Sequence, residues 1–241
     1  MRATRFEFRY RVAIIGVIYT LGFAAFWYFP LGLATGQTTW LILSSLMAGT
    51  HWLTLNTATL FVTVIALVCG VAGTALRVWG TAHLGATTMT GSEMLAGQMV
   101  VSGPYRHLRN PLYVGLWLLS VPISILMPVA GAIFVFLMLS VFLLRIIGGE
   151  ESHLSEKLGG TYHSYRSRVP RLFPTPVAAV SHSGLRPRWM QALMAEAFPV
   201  GFTVCFAFLA WSYNARLLTR YLIVCFGFSL VVRALMKPGK E

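Results

Sequence analysis

Residues 111–147 read PLYVGLWLLSVPISILMPVAGAIFVFLMLSVFLLRII, thirty-seven positions in which the first charged residue is Arg145. A membrane-crossing helix needs about 20 apolar residues, so this run is too long for one span and suits two. Met127-Pro128 lies near its middle, and proline breaks a helix. The stretch therefore predicts a tight helical hairpin whose two ends return to the same side. Whatever precedes Pro111 must then meet whatever follows Ile147.

Both flanks are unusually polar for this chain. Before the hairpin stands Gly103-Pro-Tyr-Arg-His-Leu-Arg-Asn-Pro-Leu-Tyr-Val-Gly115, and after it Gly148-Gly149-Glu150-Glu151 continues to Val169-Pro170-Arg171. Leu154 and Leu158 are one helical turn apart and Glu150 and Glu151 suit a first turn. Gly159-Gly160 is a stop signal, so a short amphipathic helix is predicted at the membrane surface. A basic loop resting on lipid headgroups would carry many of the same residues as the first flank.

Composition supports a membrane protein. The chain is 56% hydrophobic and only 11% charged, with a mean hydropathy of +0.70. The fold class is therefore all-α, a polytopic transmembrane helical protein of about six spans (five to seven). The predicted spans are Val12 to about Leu33, Leu55 to Trp79, the two hairpin arms, Trp189 to Tyr213 and Leu217 to Met236. A short re-entrant or surface helix is expected within Gly36 to Asn56. The apolar run after Arg2, Arg5, Arg9 and Arg11 is too long and too aromatic for a signal peptide. Gly70 and Gly73 permit close helix packing.

The charge balance, 19 Lys plus Arg against 7 acidic residues and a net charge of +12, reads as topology. With a cytoplasmic N-terminus, only Arg216 and Arg220 fall in outer connections, which satisfies the positive-inside rule. The 80–110 connection and the 145–188 segment then share the cytoplasmic face, and both termini lie there. That corresponds to the inner membrane in a bacterium. Basic residues scattered over loops argue against nucleic acid. Cys69, Cys205 and Cys225 sit in apolar segments and read as core or lipid-facing residues, not as a disulfide or metal site. No histidine pair has metal-ligand spacing, and no internal repeat is present. Trp27, Trp40, Trp52, Trp189 and Trp211 fit interfacial belts, and His51 and His83 read as loop hydrogen-bonders. Residues 1–241 form one domain: a motif core at 75–175, a basic linker at 176–188 and a C-terminal helical pair at 189–236.

Together the two flanks offer cations (Arg106, His107, Arg109), anions (Glu150, Glu151) and rings (Tyr105, Tyr113, Tyr162, Tyr165). This set suits a zwitterionic ligand with a flat ring, its carboxylate toward the Arg side and its cation toward the Glu side. Two adjacent glutamates repel, and a cationic partner relieves that repulsion. Pairing with Arg145 or Arg168 would relieve it equally.

The pattern Gly103-Pro104-Tyr105-Arg106, Arg109-Asn110-Pro111-Leu112-Tyr113-Val114-Gly115, Glu150-Glu151, Leu154, Gly159, Tyr162, Tyr165, Val169-Pro170-Arg171 resembles integral membrane methyltransferases. The resemblance is to those of the isoprenylcysteine carboxyl methyltransferase and phospholipid methyltransferase type. It covers about residues 75–175. It implies S-adenosylmethionine as methyl donor and a lipidic or membrane-delivered small acceptor (carboxylate, amine or thiol), with no metal. It also implies donor contacts from Tyr105, Arg106, His107, Arg109, Asn110, Pro111, Tyr113, Glu150 and Glu151. Glu151, His107 and Arg109 would lie nearest the chemistry, and Tyr162, Tyr165 and Arg168 on the acceptor side. Asn110 departs from the histidine many members have there. An NADPH-dependent sterol-type membrane reductase is the nearest alternative, with Arg106, Arg109, Arg166 and Arg168 for the extra phosphate. A transport or assembly subunit would rest on ionisable groups within spans, for which Glu196 and Arg233 are candidates.

Overall fold

The structure is a computed structural model, and it describes residues 3–28, 37–84, 101–181 and 186–235. Much of the predicted 80–110 connection, including Glu93, lies outside the described residues, as do residues 182–185 of the linker and the Arg233 side chain. The secondary-structure elements among the described residues are all helical, and none is a strand. They comprise α1 (Arg5–Arg9), α2 (Arg11–Tyr28), α3 (Thr39–Ala48), α4 (Leu55–Leu84), a 3-10 turn (Gly103–Arg106), α5 (Pro111–Ser124), α6 (Val129–Leu158), α7 (Gly160–Arg168), α8 (Trp189–Ala195), α9 (Ala197–Ser212) and α10 (Ala215–Leu235).

The helical hairpin forms, but only its second arm has the length of a span: α5 (Pro111–Ser124) falls among the shorter apolar helices. Pro111 opens α5, where its missing N–H would have had no helical partner anyway, and Pro128 caps the start of α6. The turn between them is held by α3: the Thr39 amide donates to Met127 O at 2.7 Å and the Trp40 amide to Ile125 O at 2.9 Å. The predicted short helix in 36–56 is thus present and braces the turn.

Two helices, α4 and α6, are long and apolar enough to cross a membrane, and a third crossing arises if α8 and α9 are taken as one bent span. Both long helices leave apolar side chains exposed along one side, Leu60, Phe61, Val64, Ile65, Val68 and Val71 in α4 and Ile133, Leu137, Val141 and Leu144 in α6. That much exposed apolar surface calls for a lipid surround. The described part of α2, Arg11–Ala25, falls among the shorter apolar helices.

Three expectations need correction. The acidic segment does not begin a new surface helix: α6 runs unbroken from Val129 to Leu158 through Gly148-Gly149 and ends at Gly159, whose φ is +52°. The N-terminus is seated against α6 by the Ala3 amide, which donates to Arg145 O at 3.0 Å. The Leu55 helix does not end near Trp79 but continues to Leu84. The run from Trp189 is not one helix either, because α8 and α9 meet at Glu196 with a 72° bend. Pro199 explains the break, since its ring clashes with the carbonyl four residues back.

Helices α4 and α5 approach through Gly73 and Gly115. A Cβ on Gly73 would stand 2.6 Å from Gly115 O, and one on Gly115 2.7 Å from the Arg77 side chain. Gly70 is less tightly placed, its Cβ position lying 3.3 Å from the Pro122 ring and 3.9 Å from the Thr203 side chain. Cys205 and Cys225 are free thiols whose sulfurs touch at 3.5 Å between α9 and α10.

Candidate active site

The 3-10 turn begins at Gly103, whose φ of +54° is open to glycine at little cost, and any Cβ there would strike the His83 ring. His83 is fixed from below by Ser102, with Oγ 2.9 Å from Nδ1. Residues 106–109 leave this turn running beside residues 170–180. The Arg109 amide donates to Pro170 O at 2.9 Å, the Thr175 amide to His107 O at 3.0 Å and the Ala179 amide to Arg106 O at 2.9 Å. Side chains reinforce the strap. Arg106 Nε donates to Val180 O at 2.8 Å, and His107 Nδ1 lies 2.8 Å from Thr175 O. Arg106 and His107, predicted as donor contacts, thus spend these groups on holding the strap.

Glu151 is the centre of the cluster and is only 4% exposed. Asn110 Nδ2 donates to its Oε1 at 3.3 Å and to Arg171 O at 3.1 Å. Arg171 Nε donates to Oε2 at 3.1 Å, with its Nη2 on the same oxygen. Arg109 Nη1 stands 3.2 Å from Oε1 as an ion pair, yet neither that atom nor the buried Arg109 Nε has a partner in hydrogen-bond geometry. The contact is therefore Coulombic, and both donors keep their directional capacity. The Arg171 guanidinium is held even more firmly in its charged form by Glu151.

Glu150 turns elsewhere. Tyr113 Oη donates to its Oε1 at 2.7 Å, and Arg11, from the start of α2, adds a positive field. The two glutamates thus relieve their repulsion through separate partners, not through Arg145 or Arg168. Arg145 pairs with Glu7 at 2.9 Å. Arg168 is exposed in the last turn of α7 and takes no part in this network, so the structure does not bring it to the site.

Tyr162 and Tyr165 pack with Val169 in a small core beneath the motif. Tyr165 Oη donates to Tyr105 O at 2.8 Å, and the Tyr162 hydroxyl lies against Arg109. Burial pushes the Tyr105, Tyr162 and Tyr165 phenols above their usual range, so each remains an O–H donor. Beside Glu151 opens a cleft of about 340 Å³ lined by Ser152, Ser155, Glu156, His163, Arg166 and Arg171. Ser155 Oγ is buried there without a partner. A wider hollow of about 510 Å³ beside α3 has no ionisable group in its lining, so the chemistry points to the Glu151 cleft. No group of three or more His, Cys, Asp or Glu side chains is placed to hold a metal among the described residues.

The Glu151 cage and the Tyr113–Glu150 bond fall on the two motifs that flank the hairpin, and the strap joins the first motif to residues 170–180 just beyond the second. Residues 61–161 match the phospholipid methyltransferase family model. The resemblance to membrane methyltransferases of the isoprenylcysteine carboxyl and phospholipid type therefore holds for the core of the chain. No curated protein and no solved structure matches the chain. The match stops ten residues short of Arg171, the strongest partner of Glu151. Arg171 was visible in the Val169-Pro170-Arg171 motif but was not predicted as a site residue.

A second buried ion pair joins the core to the C-terminal helices. Arg77 Nε and Nη2 donate to Glu196 at 2.7 and 3.0 Å, and Thr81 Oγ1 adds a third bond at 2.9 Å. Arg77 Nη1 reaches Leu112 O at 3.3 Å, between Pro111 and Tyr113 of the motif. Glu196, a candidate for an ionisable group within a span, lies instead between the ends of α8 and α9; its pairing with Arg77 was not legible in the sequence.

Proposed function

We propose that this protein is an S-adenosylmethionine-dependent methyltransferase acting on a lipidic or membrane-delivered small acceptor at the cytoplasmic membrane face. The observation that carries the reading is Arg109, whose Nε and Nη1 are buried without hydrogen bonds beside a carboxylate that two other side chains already satisfy. Unspent guanidinium donors in a closed site call for an anionic partner. The donor's carboxylate fits that requirement, and Ser155 offers a further unpaired hydroxyl in the adjoining cleft.

When bound, S-adenosylmethionine supplies a methyl group on a sulfonium that is already a good leaving group. The protein's share is alignment and exclusion of water. Arg109 and Asn110 would orient the donor, and Arg171 would keep Glu151 anionic and fixed. An amine or thiol acceptor has to release a proton, whereas a carboxylate does not. Glu151 is saturated by its donors, so Glu150, held by Tyr113, is the better place for such a proton. The chain would work as one domain with the 75–175 core at its centre. The six-span layout, with both termini cytoplasmic, is part of the same proposal.

The test is calorimetric binding of S-adenosylmethionine, S-adenosylhomocysteine and NADPH to the detergent-purified protein and to Arg109→Ala. Adenosyl binding near micromolar, on the order of −8 kcal/mol, that drops at least tenfold in Arg109→Ala supports the reading. Binding of NADPH alone would replace it with the reductase reading, and absence of all binding would end both.

A further inference from the structure

The strap that closes over the candidate site has a second side. Between residues 170 and 180 its backbone is bonded to residues 106–109, yet Phe173 and Val177 are 83% and 76% exposed. Pro174 and Pro176 are exposed between them. An apolar edge this open is costly in water and marks a surface that meets something. It lies beyond residue 161, where the family match ends.

The height of this edge is fixed by the bundle. Residues 106–109 stand directly before Pro111, the first residue of α5, and Pro111 and Leu112 pack on Gly80 near the end of α4. Further along, the Arg188 amide donates to Ala82 O at 2.8 Å, in the last turn of α4. Residues 170–180 and Arg188 are therefore both held where α4 leaves the apolar bundle and α5 enters it. Backbone laid against lipid must carry few unpaired N–H groups, because water is scarce there. Pro174 and Pro176 have none, and the Thr175 amide between them donates to His107 O at 3.0 Å.

Charge selects the lipid. Between Glu156 and Glu196 the chain has six Lys or Arg and no acidic residue. Arg171 is taken by Glu151, but Arg166, Arg168, Arg186 and Arg188 are exposed. Basic side chains at a membrane surface attract anionic head groups. A soluble acidic protein would answer the charge, but not an apolar edge set at the level of the bilayer.

We propose that the strap is a lipid-docking lip: Phe173 and Val177 enter the interface of a bilayer containing anionic lipid, and the exposed arginines before and after them bind its head groups. The docked strap in turn steadies residues 106–109 through the backbone bonds it makes to them. The candidate site is thereby seated on the membrane surface. This holds whether or not that site binds an adenosyl donor.

The test places the photo-crosslinking residue p-benzoylphenylalanine at position 173, and separately at 177, in the full chain reconstituted into nanodiscs of equimolar phosphatidylcholine and phosphatidylglycerol. Both positions are exposed, so the fold tolerates the probe. The same probe at Val68, 61% exposed near the middle of α4, reports the bulk lipid. Intact-mass spectra after irradiation should show lipid adducts at 173 and 177, with phosphatidylglycerol in severalfold excess over phosphatidylcholine. At 68 the two lipids should be captured about equally. Combining the probe at 173 with Arg168→Gln, Arg186→Gln and Arg188→Gln should bring its ratio down to that at 68. Equal ratios at 173 and 68 in the otherwise unaltered chain, or an excess that survives the three substitutions, would overturn the proposal. Crosslinks joining two chains would make the occupant a second copy. Labelling at 68 with none at 173 or 177 would leave the edge in water. Either result also overturns it.

Discussion

Arg77 and Glu196, 119 residues apart, form a two-toothed ion pair at 2.7 and 3.0 Å across the junction of α4 with the α8–α9 break. Glu196 is 1% exposed, so its charge depends almost wholly on protein partners. Breaking one side of such a pair leaves the other charge buried and alone, which costs about 3–5 kcal/mol. Glu196→Gln should lower the melting temperature by roughly 6 to 20 °C at the ~2–4 °C per kcal/mol typical of this chain length. Arg77→Met combined with Glu196→Leu should recover most of that loss. A melting temperature for Glu196→Gln equal to the wild type would show that the pair is not formed in solution.

The same pair shows where the sequence was legible and where it was not. The hairpin was readable because charge-free length and Pro128 are local signals, and the meeting of its flanks follows from them. The partner of Glu151 was not. Arg168 and Arg171 are three residues apart, but α7 ends at Arg168 and Val169-Pro170 turns the chain, so only Arg171 swings back over the carboxylate. The bend at Glu196 did carry a signal in Pro199.

Glu7 sits outside the long helices and is tied to Arg145 by two hydrogen bonds at 3.0 and 2.9 Å, while the Thr4 amide donates to it at 2.7 Å. The Arg145 bonds chiefly lower its carboxyl from the ordinary 4.5 to about 2. A depressed acid contributes stability that is fully present above the unfolded value and is lost as pH falls through the folded one. The window is therefore pH 4.5 down to 2. Melting temperatures measured from pH 6 to 3 should fall more steeply for the wild type than for Glu7→Gln. Parallel curves would mean the pair contributes nothing to docking of the N-terminus on α6.

Asn110 is the one amide in the Glu151 cage, and both of its bonds use Nδ2 as donor. Asn110→Asp turns that donor into an acceptor facing two acceptors, and adds a like charge 3.3 Å from Glu151 Oε1. It should be the most damaging substitution at this position, costing more than the ~1–3 kcal/mol of an unsatisfied buried group seen in Asn110→Ala. Asn110→His keeps a ring N–H donor and should stand between the wild type and Asp in both melting temperature and adenosyl affinity. An Asp variant as stable as the wild type would mean that the amide is oriented the other way.

Gly73 and Gly115 fix how closely α4 carries Arg77 to the motif helix. A Cβ on Gly73 would come within 2.6 Å of Gly115 O and 2.9 Å of Leu119 N, and both are backbone atoms that cannot swing aside. Gly73→Ala must therefore push α4 and α5 apart, stretching the 3.3 Å bond from Arg77 to Leu112 O. Overpacking of this kind costs about 1–3 kcal/mol, and here it also disturbs the entry to Asn110 and Tyr113. Gly16 supplies the internal control: nothing lies within 4 Å of its added Cβ, so Gly16→Ala in α2 should stabilise the chain by about 0.5–1 kcal/mol. Opposite signs for the two alanines, measured by thermal melting in the same detergent, are the expected result. Equal, small effects would show that α4 and α5 are not in glycine-mediated contact.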